Sequence, residues 1–320
     1  MALKILTQPN TGKTFRMGRK RSVARGPRLS LRNYLIAGQE PTPPPGGTYA
    51  TAAAVSLSNI YENDTLGDCV IAAMGHMEGI MTGNANPPPL IFTNQQIINL
   101  YSEIGGYIPG DPSTDQGCDE VTALNTWMSK GLIAPTAKAV LQGAHNPPKP
   151  APAPPKPDPH HPPKPAPKPP APAPAPVAAP QHQIAGWLAV DPANAVLALW
   201  LFENLMFGVE LPDAWISPFP SASGFVWDVA GNPDPDNGHA FCGTSWSPTG
   251  IGIATWGMEG TITNAAIAKY AAAQGEGALY TAISQDALNS ATEKAPNGFD
   301  FAQLMADFQA IGSTVQLSAA

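Results

Sequence analysis

The sequence predicts an α+β fold in which a helical lobe is followed by an antiparallel sheet lobe. Segments with apolar residues at helical spacing lie between residues 61 and 145. Alternating or β-rich segments, separated by Gly, Pro, Asp and Asn, lie in the last third of the chain. Helices that precede strands in this way are typical of an α+β arrangement, and a cleft between the lobes is a natural place for a site.

Changes in composition divide the chain into four parts. Residues 1–60 form a basic arm and a Pro/Gly-rich approach segment, and residues 61–145 form the helical lobe. Residues 146–181 form a proline-rich insertion, since 18 of the 38 prolines lie between Pro147 and Pro180. Such density excludes helix and sheet and predicts a surface excursion or spacer. Residues 182–320 form the sheet lobe with a C-terminal helix.

The helical lobe is predicted to contain three helices. The first opens at Cys69, and the second begins at Thr93 with Gln96 in the capping-box position. The third ends at Gly131. Their apolar faces comprise Val70, Met74, Met77 and Met81 in the first helix, and Val121, Leu124, Trp127 and Met128 in the third.

The sheet lobe is predicted to begin with a helix that has Asp191 as its N-cap and Pro192 at its first helical position. Four predicted strands follow, in "GVEL", "HAFCGTSW", "GIGIATW" and "GALYTAIS". The segment "GFVWDVAGNPDPDNGHA" is interpreted as the loop that leads to His239, and "FDFAQLMADFQAIG" as the last helix.

Charge and composition narrow the classes of partner. The net charge of −7 makes nucleic acid an unlikely partner for the main domain, although nine of the 17 Lys and Arg residues lie between Lys4 and Arg32. This basic arm either keeps the chain soluble or binds an acidic partner. We expect no membrane span, metal site or cofactor. With no signal peptide visible and three cysteines that cannot all pair, a cytoplasmic location is favoured.

Cys69 is the candidate nucleophile. Free N–H groups and the helix dipole stabilise a thiolate at the first turn of a helix. The alternative is an ordinary buried cysteine, which is a common fate for this residue type. A nucleophile needs a base, and His239 begins a predicted strand with its ring free to face a cleft.

Several blocks together resemble the papain-like cysteine peptidases. "LGDCVIAAMGHM" is similar to the family's nucleophile helix, and "DQGCDEVTALNTWMSKGL" to its Gly-Cys-Asn-Gly-Gly segment and following helix. "NGHAFCGTSW" resembles the strand that opens with the catalytic histidine, and "GIGIATWG" the strand that ends in Asn-Ser-Trp-Gly. The resemblance covers about residues 63–257 and implies the two-lobed papain-like fold, with the proline-rich insertion between the lobes.

The resemblance implies a role for each site residue. Cys69 and His239 would be the nucleophile and the general acid/base, and Asn63 takes the place of the glutamine that helps form the oxyanion hole. Ala254 stands where the family has the asparagine that orients the histidine. The Thr255 hydroxyl or a backbone carbonyl would replace it, and Trp256 would shield the histidine.

The substrate-binding segment departs from the family pattern. Gly117 remains, but Asp119 and Glu120 replace the Gly-Gly pair, so we expect different subsites that favour basic side chains. Leu66 replaces the disulfide partner of Cys118, so that bridge cannot form. Only about sixty residues precede the nucleophile block, and no inhibitory propeptide of the usual length is expected.

Three functions fit these residues. The first is a peptidase or amidase that acts on a peptide or protein substrate through Cys69 and His239. The second is a papain-like domain with impaired catalysis that serves binding or assembly, as Ala254 and the acidic pair suggest. The third is a cysteine acyltransferase that uses the same thioester intermediate with a different acceptor.

Overall fold

A computed structural model describes residues 3–22, 28–133, 181–275 and 277–313. Most of the proline-rich insertion, including His160 and His161, lies outside these residues. None of the helices within the described ranges is long and apolar enough to cross a membrane. The helices are α1 Ala50–Leu57, α2 Cys69–Ala85, α3 Asn94–Gly105, α4 Glu120–Lys130, α5 Ala195–Phe202, α6 Asp213–Ile216, α7 Asn264–Tyr270, α8 Gln285–Lys294 and α9 Phe301–Ala310.

The strands are short except in the sheet lobe. They are β1 Ile5–Thr7, β2 Thr14–Arg16, β3 Gly47–Thr48, β4 Leu132–Ile133, β5 Gln181–His182, β6 Gly186–Ala189, β7 Leu205–Glu210, β8 Phe225–Trp227, β9 Gly238–Ser247, β10 Gly250–Thr255, β11 Met258–Thr263 and β12 Ala278–Ile283. The main sheet has the order β6-β12-β7-β9-β10-β11-β8, and β3 pairs with β9. Neighbours are antiparallel except β8 and β11, which are parallel.

The predicted helices of the helical lobe are confirmed in detail. Helix α2 begins at Cys69, and α3 has the capping box of Thr93 and Gln96 with both bonds formed. Helix α4 ends at Gly131, which has a positive φ of 76° that glycine adopts without steric cost. Helix α2 is buried around most of its surface because α1, α3, α4 and the sheet surround it.

The four predicted strands and the last helix of the sheet lobe are also present, as β7, β9, β10, β12 and α9. The segment interpreted as a loop before His239 contains strand β8, so that interpretation is wrong for Phe225–Trp227. A strand of three residues is too short to show the alternation of buried and exposed side chains in the sequence. In the structure, Trp227 of this strand is buried and packs against Trp215. Within the approach segment, α1 buries Ala53, Ser56 and Leu57 at helical spacing.

Strand β9 separates two hydrophobic cores. Ala240 and Cys242 face the core around α2, whereas Phe241 faces the interior of the sheet lobe. This follows from the two-residue period of a strand. Because β9 packs directly against α2, the start of this strand and the start of that helix meet at the boundary between the lobes.

Candidate active site

Cys69 lies on the first turn of α2 with 1% of its surface exposed. The turn forms because the amides of Ile71 and Ala72 donate to the carbonyl of Asp68, at 2.8 and 3.0 Å. The thiol is therefore placed at the helix N-terminus, where N–H groups are left without helical partners. Backbone N–H groups of Ala240 and Gly18 lie within reach of its sulfur.

His239 is the second residue of β9 and is fully buried. Its Nε2 lies 2.7 Å from the Oγ1 of Thr255, and its ring stacks on Trp256 with 4.2 Å between centroids. Nδ1 is buried and has no hydrogen-bond partner among the described residues. The imidazole is thus fixed at one nitrogen and one face, and among the described residues its other nitrogen makes no hydrogen bond.

Thr255, and not residue 254, is the partner of the imidazole. Ala254 lies opposite Cys242 in the ladder and packs in the core around α2, on the face away from His239. Thr255 is the next residue and so lies on the face of His239. Of the two substitutes expected for the missing asparagine, the structure has the hydroxyl.

The cysteine and histidine are both neutral in this arrangement. Burial raises the pKa of the Cys69 thiol to about 12, although the backbone N–H groups of Ala240 and Gly18 partly oppose that rise. Burial lowers the pKa of His239 to about 3. Since Nδ1 of His239 has no partner, no hydrogen bond joins it to the thiol. The thiol meets the backbone amide of Ala240, the residue after His239, and the structure holds the two side chains as thiol and imidazole.

Asn63 is buried beside the nucleophile loop. Its Nδ2 donates to the carbonyl of Leu66 at 3.1 Å and to the carbonyl of Arg16 at 3.2 Å. The amide therefore binds a peptide carbonyl of the basic arm, which is the kind of contact an oxyanion donor makes. Its role in the oxyanion hole stays a prediction.

Asp68 is the N-cap residue of α2, but its side chain makes no capping hydrogen bond to the helix. Both of its carboxylate oxygens are buried without a hydrogen-bond partner in the described part of the chain. Burial raises the pKa of Asp68 well above its ordinary value; the side chain of Asn63 opposes the rise, and the nearby carboxylate of Asp115 adds to it. A carboxyl group whose neutral form is favoured by burial therefore precedes Cys69.

The cleft between the lobes holds the chain's own basic arm. Gly18 accepts a hydrogen bond from the amide of Cys118 at 3.0 Å, and the amide of Lys20 donates to the carbonyl of Cys118 at 2.9 Å. On the opposite side, the amide of Arg19 donates to the carbonyl of Gly238 at 3.1 Å. An extended stretch of the arm thus bridges the helical lobe and the residue before His239.

Glycines make this close approach possible. A Cβ on Gly18 would lie 1.8 Å from the carbonyl oxygen of Gly67, and one on Gly117 would lie 1.9 Å from the oxygen of Gly18. A Cβ on Gly238 would lie 2.4 Å from the carbonyl oxygen of Arg19. Four glycines therefore admit the arm where any side chain would exclude it.

The acidic pair of α4 divides into two roles. Asp119 is the N-cap of the helix, because its Oδ1 accepts from the amide of Thr122 at 3.0 Å. Glu120 is buried in the cleft, where its Oε1 accepts from the Nε of Arg19 at 2.6 Å. Gly117 borders the arm. Trp256 lies under His239 and also packs near the ring of Phe15 in the arm, with 5.8 Å between centroids.

Basic residues of the arm meet carboxylates of the same chain. The arm includes the hairpin β1–β2, so it is not an extended tail over residues 3–22. The ion pairs are Lys4 with Asp213 and Asp234, Lys13 with Asp64, Arg16 with Asp115, Arg19 with Glu120, and Arg21 with Glu210. An acidic partner outside the chain stays a prediction.

Sequence reasoning missed four contributors to the cleft, namely the backbones of Cys118 and Gly238, the space at Gly208, and the Glu210 carboxylate. The one local signal was the pair of glycines at positions 117 and 238, which precede Cys118 and His239. All three cysteines are free, as expected, and Cys242 lies on the face of β9 opposite to His239. No cluster of three metal-ligating side chains occurs among the described residues.

The fold with this cleft is the two-lobed papain-like fold. The structure is similar to that of xylellain, a cysteine protease from Xylella fastidiosa, with a TM-score of 0.54 and 12% sequence identity over 89% of this chain and 99% of that one. It is less similar to proCathepsin B S9 from Trypanosoma congolense, with a TM-score of 0.49 and 11% identity over 84% and 87% of the two chains. For the cysteine protease CMS1MS2 from Carica candamarcensis, in complex with E-64, the TM-score is 0.45 and the sequence identity is 12%, over 76% of this chain and 99% of that one. No family model matches the sequence, and no curated protein sequence matches it.

Proposed function

We propose that this protein is a cysteine-type peptidase or amidase in which Cys69 is the nucleophile and His239 the general acid/base. The observation that carries the proposal is the setting of the His239 imidazole. Thr255 and Trp256 fix the ring, and Nδ1 has no hydrogen-bond partner among the described residues. The next residue of the strand, Ala240, places its backbone amide within reach of the Cys69 thiol. A merely structural buried histidine normally has both ring nitrogens satisfied.

The chemistry follows from these positions. The Cys69 proton passes to Nδ1 of His239, and the thiolate attacks the substrate carbonyl carbon. The C–N bond breaks as the imidazolium donates its proton to the leaving amine, and a thioester forms. Water then attacks the thioester, its proton passes to His239, and the carboxylic acid product leaves with regeneration of the thiol. Asn63 and the amide of Cys69 would stabilise the oxyanion.

The test uses the full chain with the arm displaced from the cleft by Gly18→Val, since a side chain at residue 18 overlaps the carbonyl of Gly67. Alkylation of each cysteine by iodoacetamide is followed against pH by mass spectrometry. We expect Cys69 to react well below pH 7, and His239→Ala to move its profile towards that of an ordinary thiol near roughly pH 8.5. In the unmodified chain we expect Cys69 to react slowly, because it is buried and its pKa is raised to about 12.

Peptide hydrolysis is measured on the same samples with a mixed-sequence peptide library. Cleavage should be lost in Cys69→Ala and kept in Cys242→Ala, which changes a buried cysteine on the other face of β9. If Cys69 of the Gly18→Val chain reacts no faster than Cys118 and Cys242 and no peptide is cut, the catalytic proposal fails. The protein would then be a papain-like binding or assembly module, for which the filled cleft and the neutral pair are the supporting observations. Thioester formation with transfer to an amine, without hydrolysis, would instead identify the acyltransferase.

A further inference from the structure

The space around Arg19 has the features of a side-chain pocket. Arg19 crosses the cleft in extended conformation, and its side chain is 4% exposed although it comes from a surface arm. It meets Glu120, whose side chain is completely buried. A Cβ on Gly208 would lie 1.6 Å from the Oε1 of Glu120 and 2.9 Å from the Nε of Arg19. The absence of a side chain at residue 208 therefore creates the room that the guanidinium occupies.

The charge of the pocket needs a cationic occupant. Oε2 of Glu120 is buried and has no hydrogen-bond partner among the described residues, while Oε1 accepts from Arg19. A buried carboxylate without a cation is strongly unfavourable. The Glu120 carboxylate is not needed to cap α4, because Asp119 already does so. The Glu120 carboxylate instead faces the cleft and the Arg19 side chain that occupies it.

We propose that the pocket of Glu120 and Gly208 selects an arginine side chain of the substrate, and that Arg19 fills it as an internal substitute. This inference rests on the proposed function and adds the substrate class, which is peptides with arginine. It also explains why the arm occupies the cleft in the described structure. Arg19 must leave before a substrate arginine enters.

A second carboxylate extends the site. Arg21 lies two residues after Arg19, so in an extended chain both side chains point to the same side. Arg21 binds Glu210 through two hydrogen bonds, one of them 2.9 Å from Nη2 to Oε2. Glu210 likewise lies two residues after Gly208 on β7. Because the Arg21 side chain is about half exposed, we expect a second arginine to add less affinity than the first.

The test measures peptide binding without turnover. The full chain carries Gly18→Val, which displaces the arm, and Cys69→Ala, which prevents cleavage. A labelled peptide with one arginine is compared by fluorescence anisotropy with the same peptide that has citrulline in its place, since citrulline keeps the shape and loses the charge. We expect arginine to bind about 10- to 100-fold more tightly, as for a buried charge-assisted hydrogen bond. Equal affinities for the two peptides would overturn the proposal.

Variants locate the preference. Glu120→Gln and Gly208→Ala should each remove the difference between the two peptides, one by removing the charge and the other by filling the space. Glu103→Gln, which changes an exposed carboxylate on α3, should leave the difference unchanged. Restoring Gly18 should weaken binding of the arginine peptide, because Arg19 then competes for the pocket. Unchanged discrimination in Glu120→Gln and in Gly208→Ala would place the arginine elsewhere and contradict the assignment.

The two proposals fail separately. If the chain with Cys69 intact hydrolyses peptides without a preference for arginine, the peptidase proposal stands and the arginine-pocket proposal fails. If the arginine peptide binds tightly but neither hydrolysis nor activation of the Cys69 thiol is detected, the arginine-pocket proposal stands and the peptidase proposal fails.

Discussion

The two walls of the cleft differ in what holds them. On the sheet side, His239 contacts Thr255 and Trp256, which come from the same lobe. On the helical side, Glu120 is neutralised by Arg19 of the arm. We therefore expect the His239 imidazole to keep these two contacts when the arm leaves, whereas the helical wall then exposes the Glu120 carboxylate to water or to a new cation. The orientation of His239 is set within its own lobe, and the charge of Glu120 is balanced by a residue from the arm.

Removal of the Thr255 hydroxyl should have the largest effect on catalysis. In the Gly18→Val chain, Thr255→Val keeps the side-chain shape but leaves Nε2 of His239 without its partner. Loss of one buried hydrogen bond that orients the base should lower kcat/KM about 10- to 100-fold. Steady-state kinetics with a peptide cut by the parent chain provides the measurement.

The control for this variant is Thr261→Val on the neighbouring strand β11, which should keep the parent value. A Thr255→Val chain with unchanged kcat/KM would show that the sheet wall orients His239 through the Trp256 ring alone. The Thr255 hydrogen bond would then not contribute to the difference between the two walls.

Asp68→Asn on the helical wall should stabilise the protein. The carboxyl is buried, and neither of its oxygens has a hydrogen-bond partner among the described residues. Burial raises its folded-state pKa well above the ordinary value of 3.8. The wild-type chain therefore loses stability as pH rises from the unfolded value through the folded one, and the amide variant does not. At pH 7 we expect a gain of about 1–3 kcal/mol in the free energy of unfolding.

Urea unfolding at several pH values tests this expectation. The gain should shrink as the pH falls from the raised folded-state pKa to below the ordinary value of 3.8, because below that value both states of the wild type carry the neutral acid. Asp236→Asn, which changes an exposed carboxyl, should show neither the gain nor its pH dependence. A destabilised Asp68→Asn chain at pH 7 would mean that the charge of this carboxylate is required.

The smallest expected effect concerns a contact between α2 and β5, away from both walls. Nδ1 of His182 lies 2.9 Å from Oε1 of Glu78, and this bond raises the pKa of His182. Its stabilisation is fully present below about pH 6.5 and is lost as pH rises through the raised pKa. Because His182 is about one-third exposed, we expect His182→Gln to cost about 0.5–1 kcal/mol at pH 6 and less at pH 9.

Chemical denaturation at the two pH values measures this difference. Lys130→Gln removes a surface ion pair with Glu103 and should give a cost that does not change over the same interval. A cost of His182→Gln that stays constant between pH 6 and pH 9 would indicate packing and not charge.

Local patterns were sufficient for the elements that carry the candidate site. The start of α2 at Cys69, the capping box at Thr93 and the strand at His239 each depend on neighbouring residues, and each is present. Strand β8 was missed because it is three residues long and is defined by its parallel partner β11. Its partner is distant in sequence, so local periodicity carries little information about it.

The filled cleft could not be read from local patterns. Arg19 and Glu120 are 101 residues apart, and Gly18 meets Gly67 and Gly117 only after the lobes have folded together. The sequence indicated the excess of cations in the arm and the acidic pair in α4, but not that they bind each other. Only a few residues of the arm, from Gly18 to Arg21, make these contacts, and so short a stretch has no sequence pattern of its own.

The pairing of β4 with β5 has a consequence for the evolution of the chain. Leu132 lies opposite His182 and Ile133 opposite Gln181, so residues 133 and 181 lie on neighbouring antiparallel strands. The distance between these two residues is set by the ladder and not by the length of the sequence between them. Loop-closure entropy changes slowly with loop length. We therefore expect changes in the length of the proline-rich sequence to leave the register of β4 and β5, and with it the cleft, unchanged.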